Sequence, residues 1–418
     1  VKEMNETRNI IVGLEIGKLQ SQLCYYDRKE KEPISVSVKA GSNQYLFPTL
    51  LSVNPEKEIW HYGLEAEYFS ANEGETAVNG LLGIWGEAEP VRVGEKVFEA
   101  AKLMEAYLKG VLSLLGVGEP VRQIKGLMIT VPKLSSAMVQ VVYEAAAGMG
   151  FSRNQIFLQD YDESFYYYVM NHRKDNCTRK IGWFLFDNNQ VSFARLVMDN
   201  QKRPAMAYIE HGITAELSTD PVKRDEDFYR LIDRSCGKDP YSSIYMVGEG
   251  FDQEWAVRSI PFLCRNQRHV FYGNNLYVKG ACYGAREKCD EGILKGYLYL
   301  SPSLVQNNVA MEMLVNGSPK TYPLVEAGKN WYEIHTELEL ILDEKEDLEF
   351  VVTPMEGGSK TRFSMKLPGL PKRPNKTTRL KICISYESSE TCVIVVEDMG
   401  FGEMFPSNGN VWTEKVSW

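Results

Sequence analysis

A chain of 418 residues is long enough for two or three domains, and its 44% hydrophobic and 25% charged content is that of a globular protein with a packed core. The net charge of −9 argues against a general nucleic-acid or membrane-surface role. No basic-then-apolar leader opens the chain and no apolar run of about 18 residues occurs, so the sequence predicts a cytoplasmic protein without membrane insertion.

The first predicted element is a β-hairpin over Asn9–Tyr26. Ile10-Ile11-Val12 leads into Gly13-Leu14-Glu15-Ile16-Gly17, and Gln22-Leu23-Cys24-Tyr25-Tyr26 leads out. The turn carries Glu15 and Lys18. Gly13 and Gly17 would let backbone amides approach an anion, although the same residues also suit an ordinary polar turn. Ile34–Val38 and Leu46–Val53 read as strands, with Pro48 marking an edge. Ile59–Gly63 leads into a short helix, Leu64–Ser70, and the glycine-rich stretch Gly80–Val93 reads as irregular. Val97–Leu115 has helical apolar spacing and stops at Gly116.

Ile124–Pro132 reads as a buried strand, and Ser135–Gly148 as a helix with Ser135 at its N-cap. Ile156–Asp160 is a short strand, followed by the tyrosine-dense helix Tyr161–Asn171, whose Tyr161, Tyr166, Tyr167 and Tyr168 suit a half-buried face or, as the alternative, a binding site. Ile181–Val197 then repeats the pattern of the first hairpin: a strand ending in Asp187, a turn of Asn188-Asn189-Gln190, and a returning strand. Two acid-tipped hairpins predict a duplicated α/β fold with a cleft between its halves. An acid from each side of a cleft suits a metal-bound phosphate. Ala205–His211 and Ile244–Gly250 are further strands, and Asp225–Ser235, Gln253–Cys264 and Asn275–Lys288 are helices. Gly280, Ala281, Gly284 and Ala285 predict a tight helix–sheet contact.

Beyond Cys289 the pattern changes to about seven strands, from Lys295–Leu300 to Thr391–Glu397, with turns at Asn316-Gly317, Gly357-Gly358 and Pro368–Asn375. The fold class is therefore α/β plus all-β: residues 1–288 form the α/β core and 289–418 a β-sandwich. In the closing segment, Trp412 and Trp418 either dock on the sandwich or mark a partner surface. The eight cysteines, Cys24, Cys177, Cys236, Cys264, Cys282, Cys289, Cys383 and Cys392, form no C-x-x-C and read as reduced core residues. Cys383 and Cys392 are spaced to face each other across a hairpin. The five histidines have no zinc-ligand spacing.

Five segments, in order, resemble the heat-shock chaperones of the seventy-kilodalton class (DnaK-like), which are built on the actin-like (ribonuclease H-like) ATPase fold. GLEIGKLQS is similar to the first phosphate motif, G-I-D-L-G-T-T-x-S. LMITVPKLSSAMVQVVYEAAAGMGFSRNQIFLQDYDESFYYYV is similar to the connecting segment, and LFDNNQVSFARL stands where that class has F-D-L-G-G-G-T-F-D-V-S. MVGEGFDQEWAVRSIPFLC and NNLYVKGACYGA resemble the adenosine segment, and LPGLPKRPNKTTRLKICISYESSETCVIVVEDMGFGE the peptide-binding β-domain. The resemblance implies Mg-ATP or Mg-ADP held by Gly13, Gly17, Lys18, Asn188, Asn189, Gly248 and Gly250, with Glu15, Asp160 and Asp187 as the acids around magnesium. It also implies a protein or peptide partner on the β-domain.

The departures fall on these same residues. Glu15 replaces an aspartate, and Lys18 and Leu19 replace two threonines. Asp160 replaces the glutamate that positions water. Asn188-Asn189-Gln190 replaces a glycine triplet, and the stretch between Val197 and Ile244, which in that class holds a whole subdomain, is strongly reduced. No helical lid is expected after the β-domain. Phosphoryl transfer depends on positioning, and misplacement by about 1 Å costs on the order of a hundredfold in rate. The expected function is thus a chaperone-like protein with an inactive, pseudo-ATPase core as scaffold and a β-domain that binds protein or peptide. The alternatives are an ATP-binding or ATP-hydrolysing chaperone and an actin-like cell-envelope or division scaffold. In the plainer reading, Glu15, Asp160 and Asp187 cap turns or pair with Lys18 or Arg195.

Overall fold

The computed structural model describes residues 9–418 except 40, 55, 173–179, 274, 291, 344–346 and 356. Cys177 lies outside the described residues. Contacts divide the chain into Val1–Tyr299 and Leu300–Trp418. The division falls later than 288/289 because Tyr297–Tyr299 is a strand paired in parallel with Ala205–Ala207, which ties it to the first unit.

In that unit β1 (Ile10–Ile16), β2 (Gln20–Asp27) and β3 (Glu32–Ser35) form an antiparallel meander, with β4 (Phe47–Pro48) on β2. An insertion follows. It holds β5 (Leu51–Asn54), β6 (Ile59–Tyr62) and β7 (Thr76–Val78) in one small sheet, α1 (Gly63–Asn72), α2 (Leu81–Glu87) and the hairpin of β8 (Val91–Val93) with β9 (Lys96–Phe98). Then come α3 (Ala100–Ser113), α4 (Pro120–Gln123), β10 (Ile124–Val131), α5 (Ser136–Met149), β11 (Ile156–Asp160) and α6 (Tyr161–His172). Ser135 caps α5 by accepting the Met138 amide at 3.1 Å, and Gly150 ends it at φ 93°. The sheet order is β11-β10-β1-β2-β3, with β1, β10 and β11 parallel.

The second half repeats this plan. β12 (Lys180–Asp187), β13 (Gln190–Asp199) and β14 (Ala205–Glu216) form a second meander. α7 (Pro221–Ser235), β15 (Tyr241–Glu249), α8 (Ser259–Leu263), β16 (His269–Tyr272), α9 (Leu276–Cys289) and β17 (Tyr297–Tyr299) complete it. The order β16-β15-β12-β13-β14 matches the first sheet strand for strand, with β17 added outside β14.

The helix that follows each half is exchanged between them. α6 sets Phe165, Tyr166 and Val169 on Ile181, Trp183 and Leu196 of the second sheet. α9 sets Val278, Ala281 and Cys282 on Ile11, Cys24 and Met128 of the first. A Cβ on Gly280 would lie 2.0 Å from the Ser164 carbonyl oxygen of α6, and one on Gly13 would lie 2.5 Å from that of Val278. The small-residue face of α9 thus packs on a helix as well as on a sheet.

The second unit holds β18 (Asn307–Val315), β19 (Ser318–Val325), β20 (His335–Leu342), β21 (Leu348–Pro354), β22 (Thr361–Met365), β23 (Thr378–Tyr386), β24 (Thr391–Gly400) and β25 (Val411–Ser417). The sheets β19-β18-β21-β22 and β20-β23-β24-β25 share one core, in which Val309, Met311 and Phe350 meet Leu380, Ile382, Ile394 and Val396. Trp412 is buried in that core and donates Nε1–H to the Pro368 carbonyl at 2.9 Å, and Trp418 packs beside Phe363. Both tryptophans therefore dock on the sandwich. The register pairs Cys383 with Val395 and Cys392 with Tyr386. Cys392 points inward while Cys383 lies on the outer face, so the two do not face each other. Among the described residues no helix is long and apolar enough to cross a membrane.

Candidate functional site

The two acid-tipped turns sit at equivalent strand ends, β1 and β12. Both are tied down by the protein itself. Gly17 at the end of the β1–β2 hairpin donates its amide to Gln20 O at 3.0 Å, and its carbonyl accepts the Thr49 hydroxyl at 2.9 Å. Thr49 is braced by Ser21 at 2.8 Å, and Ser21 accepts from the buried Tyr107 hydroxyl at 2.7 Å. Gly13 faces the backbone of α9, so its lack of a side chain admits a helix. Lys18 is exposed and Leu19 is 60% exposed.

Glu15 Oε1 accepts the Tyr161 hydroxyl at 3.0 Å, a contact from α6 to β1. Tyr161 in turn stacks on Tyr277 of α9, with ring centroids 3.8 Å apart. Burial raises the Glu15 carboxyl to about 7 and outweighs the opposing hydrogen bonds from Tyr161 and the Val278 amide. Asp160 accepts the Glu163 amide at 2.8 Å at the start of α6, and burial raises its carboxyl to about 6. Its neighbour Asp162 pairs with His211 of β14 at 2.7 Å. Glu15 is therefore held by Tyr161, where Lys18 had been the candidate partner, and Asp160 takes the turn-capping role.

A raised acid pKa has a defined sign. The native state holds the Glu15 proton above the unfolded value of 4.5, so stability falls as pH rises from about 4.5 to about 7. Glu15→Gln is expected to be more stable than the wild type above about pH 7, by on the order of 3 kcal/mol and so with a higher melting temperature, and to match it near pH 4. Thermal scans of both proteins across that range check this. A variant that tracks the wild type at every pH would refute it.

The second turn is closed by a cation. Asp187 is exposed, and its nearest polar contact is the Asn188 side chain at 3.5 Å. Asn188 adopts φ 53° and donates its amide to Glu249 O at 2.9 Å. Gly248 and Gly250 both have positive φ, 92° and 100°, and a Cβ on Gly250 would lie 2.6 Å from Asn188 O. Between these turns lies Arg224 of α7, only 7% exposed. Its Nη2 donates to Asn188 O at 2.5 Å and Gly250 O at 3.0 Å, and its Nη1 to Asn189 Oδ1 at 2.6 Å and Ser218 O at 3.3 Å. The guanidinium also lies 4.9 Å from the Trp255 ring. The next residue, Asp225, accepts the Arg258 and Ser259 amides at 2.8 and 3.0 Å, which fixes α8 to α7. Arg195 is engaged with Glu210 at 2.7 Å and leaves Asp187 alone.

The structure thus brings Asn188, Asn189 and Gly250 together around Arg224, and Glu15 together with Tyr161, while Gly248 lies against Phe186 of β12. No hydrogen bond or ion pair joins Glu15 to Asp187 among the described residues, and no group of three or more His, Cys, Asp or Glu there is placed to hold a metal ion. Arg224 and Thr49 escaped the sequence reading as site residues. One signal for Arg224 was present: Asp220-Pro221 is an N-cap followed by proline at N1, which starts α7 early enough to include it.

Residues 32–302 match a family described as Family of unknown function (DUF5716) C-terminal, and residues 304–418 match one described as Domain of unknown function (DUF8552). The junction between the matches follows β17, close to the division between the two compact units. No curated protein matches the sequence. Since the first match spans more than half of its residues, the chain belongs to the family of unknown function DUF5716, of which it carries the C-terminal part.

Proposed function

We propose that this protein is a divergent chaperone-like scaffold: an actin-like, pseudo-ATPase core carrying a β-sandwich that binds a protein or peptide partner in the cytoplasm. The duplicated strand order and the exchanged helices α6 and α9 support the actin-like reading of the core. The observation that carries the pseudo-ATPase reading is Arg224, whose guanidinium binds the carbonyls of Asn188 and Gly250. A nucleotide phosphate needs free backbone donors and open space at these turns. Here a side chain fills that place, Tyr161 holds Glu15, and the backbone at Gly13 is packed on α9. Magnesium nucleotide does not fit these residues.

Partner binding is read from the sandwich. β19, β22, β20 and β25 are the outer strands of its two sheets, and an edge strand offers unpaired backbone groups to an extended peptide. The cytoplasmic reading rests on the seven cysteines among the described residues, all of them free thiols.

Thermal melting with millimolar ATP or ADP and magnesium tests the core. A ligand at 100 times its dissociation constant adds about 2.7 kcal/mol and raises the midpoint by several degrees. No shift is expected. A clear shift abolished by Asp187→Ala would overturn the reading.

A further inference from the structure

An open surface depression of about 490 Å³ lies where the last turn of α9 meets the β2–β3 turn, lined by Tyr26, Arg28, Lys31, Arg286, Asp290 and Ile293. We propose that it binds a compact organic oxyanion: a small molecule carrying a phosphate or carboxylate on a flat apolar group. Among the described residues, three of the lining side chains are cationic and one is acidic. The acid is already engaged. Asp290 accepts from Arg28 Nη1 at 3.0 Å and from Lys125 Nζ at 2.6 Å.

Arg286 is the anchor. Its side chain is only 14% exposed, and its guanidinium lies 5.3 Å from the Tyr26 ring centroid. Nη1 donates to the Tyr26 phenol at 3.1 Å, and Nη2 reaches Glu287 only at 3.4 Å. A guanidinium has five donors in a planar fork, so most remain for an oxyanion, which the fork matches in geometry. Lys31 is exposed and enters no hydrogen bond or ion pair among the described residues, which leaves its ammonium free for the second charge.

The apolar part of the ligand has its own surface. Ile293 is 61% exposed beside the Tyr26 ring, so a bare inorganic ion would leave it in water while an aryl group would cover it. The volume lies within the usual range for small-molecule sites, about 300–1,000 Å³. The negative end of the α9 dipole opposes an anion here, and Arg286 and Lys288 in the last turn offset it.

Calorimetric titration of the full chain with phenyl phosphate, benzoate and inorganic phosphate tests the site. Saturable binding of phenyl phosphate or benzoate is expected, about tenfold tighter than inorganic phosphate and weakened by salt. Whichever aryl probe binds more tightly identifies the anion as phosphate or carboxylate. Lys31→Glu, a surface change that leaves packing intact, is expected to weaken binding at least about tenfold. Arg286→Lys keeps the charge but loses the fork, and should weaken it as well. Neither aryl probe binding, inorganic phosphate binding equally well, or unchanged affinity in Lys31→Glu would each overturn the proposal.

Discussion

Asp398→Ala is expected to destabilise the C-terminal unit by roughly 3–5 kcal/mol. Asp398 is 1% exposed and meets Arg373 as a two-pronged pair, with both N–O distances 2.7 Å. It also accepts the amides of Gly400 at 3.1 Å and Asn408 at 3.0 Å, and its backbone carbonyl accepts the Ser407 hydroxyl. Arg373 Nη2 reaches the Pro406 carbonyl at 2.8 Å. One carboxylate thus joins the end of β24, the return loop before β25 and the segment leading to β23. Removing it leaves a nearly buried guanidinium without its counter-charge, which costs more than the pair itself contributes. Urea unfolding followed by tryptophan fluorescence should show the loss, since Trp412 and Trp418 report on this unit. Arg373→Ala should cost a similar amount and the double variant clearly less than the sum; additive losses would contradict this account. The hydrogen bond from Arg373, against the opposing effect of burial, lowers the Asp398 carboxyl to about 2 from 3.8. That stabilisation is complete above about pH 3.8 and disappears as pH falls through about 2.

Gly280→Ala should disrupt the first unit by roughly 3 kcal/mol or more, through a methyl group with nowhere to go. Its Cβ would lie 2.0 Å from the Ser164 carbonyl oxygen and 2.7 Å from the carbonyl carbon, both backbone atoms of α6. α9 cannot retreat, because its other side is packed against Gly13 of β1, where an added Cβ would lie 2.5 Å from the Val278 carbonyl oxygen. Gly83, with open space around its Cβ position, provides the matched control in α2. Circular dichroism melts of the two alanine variants should separate by many degrees, and equal melting points would argue that α6 and α9 can part at little cost.

Elements with strong local pattern were legible in the sequence. The hairpin strands β1 and β12 are apolar on both faces because both are covered, and α5 carries its own cap at Ser135. Other elements were hidden by their punctuation. Gly83 and Gly86 disguise α2, and Pro319 and Pro323 disguise β19. Pro261 and its surroundings reduce the expected helix over Gln253–Cys264 to Ser259–Leu263. Lys96–Phe98 is a strand, so the next helix begins at Ala100 and not at Val97. The site was the least legible part. The Tyr161–Glu15 bond spans 146 residues and the Arg224–Asn188 bond 36, and no local spacing rule announces which side chain will close on which turn.

The exchange of α6 and α9 also has a meaning in time. A chain made from its N-terminus completes β11 at Asp160 but does not add the helix that covers the first sheet until Cys289. At about 5–20 residues per second, that apolar face, with Ile11, Cys24 and Met128, waits on the order of ten seconds for its cover. During translation the nascent first half is therefore an open-faced sheet next to the ribosome, and slowing elongation between these points should lower soluble yield while leaving the stability of the finished molecule unchanged.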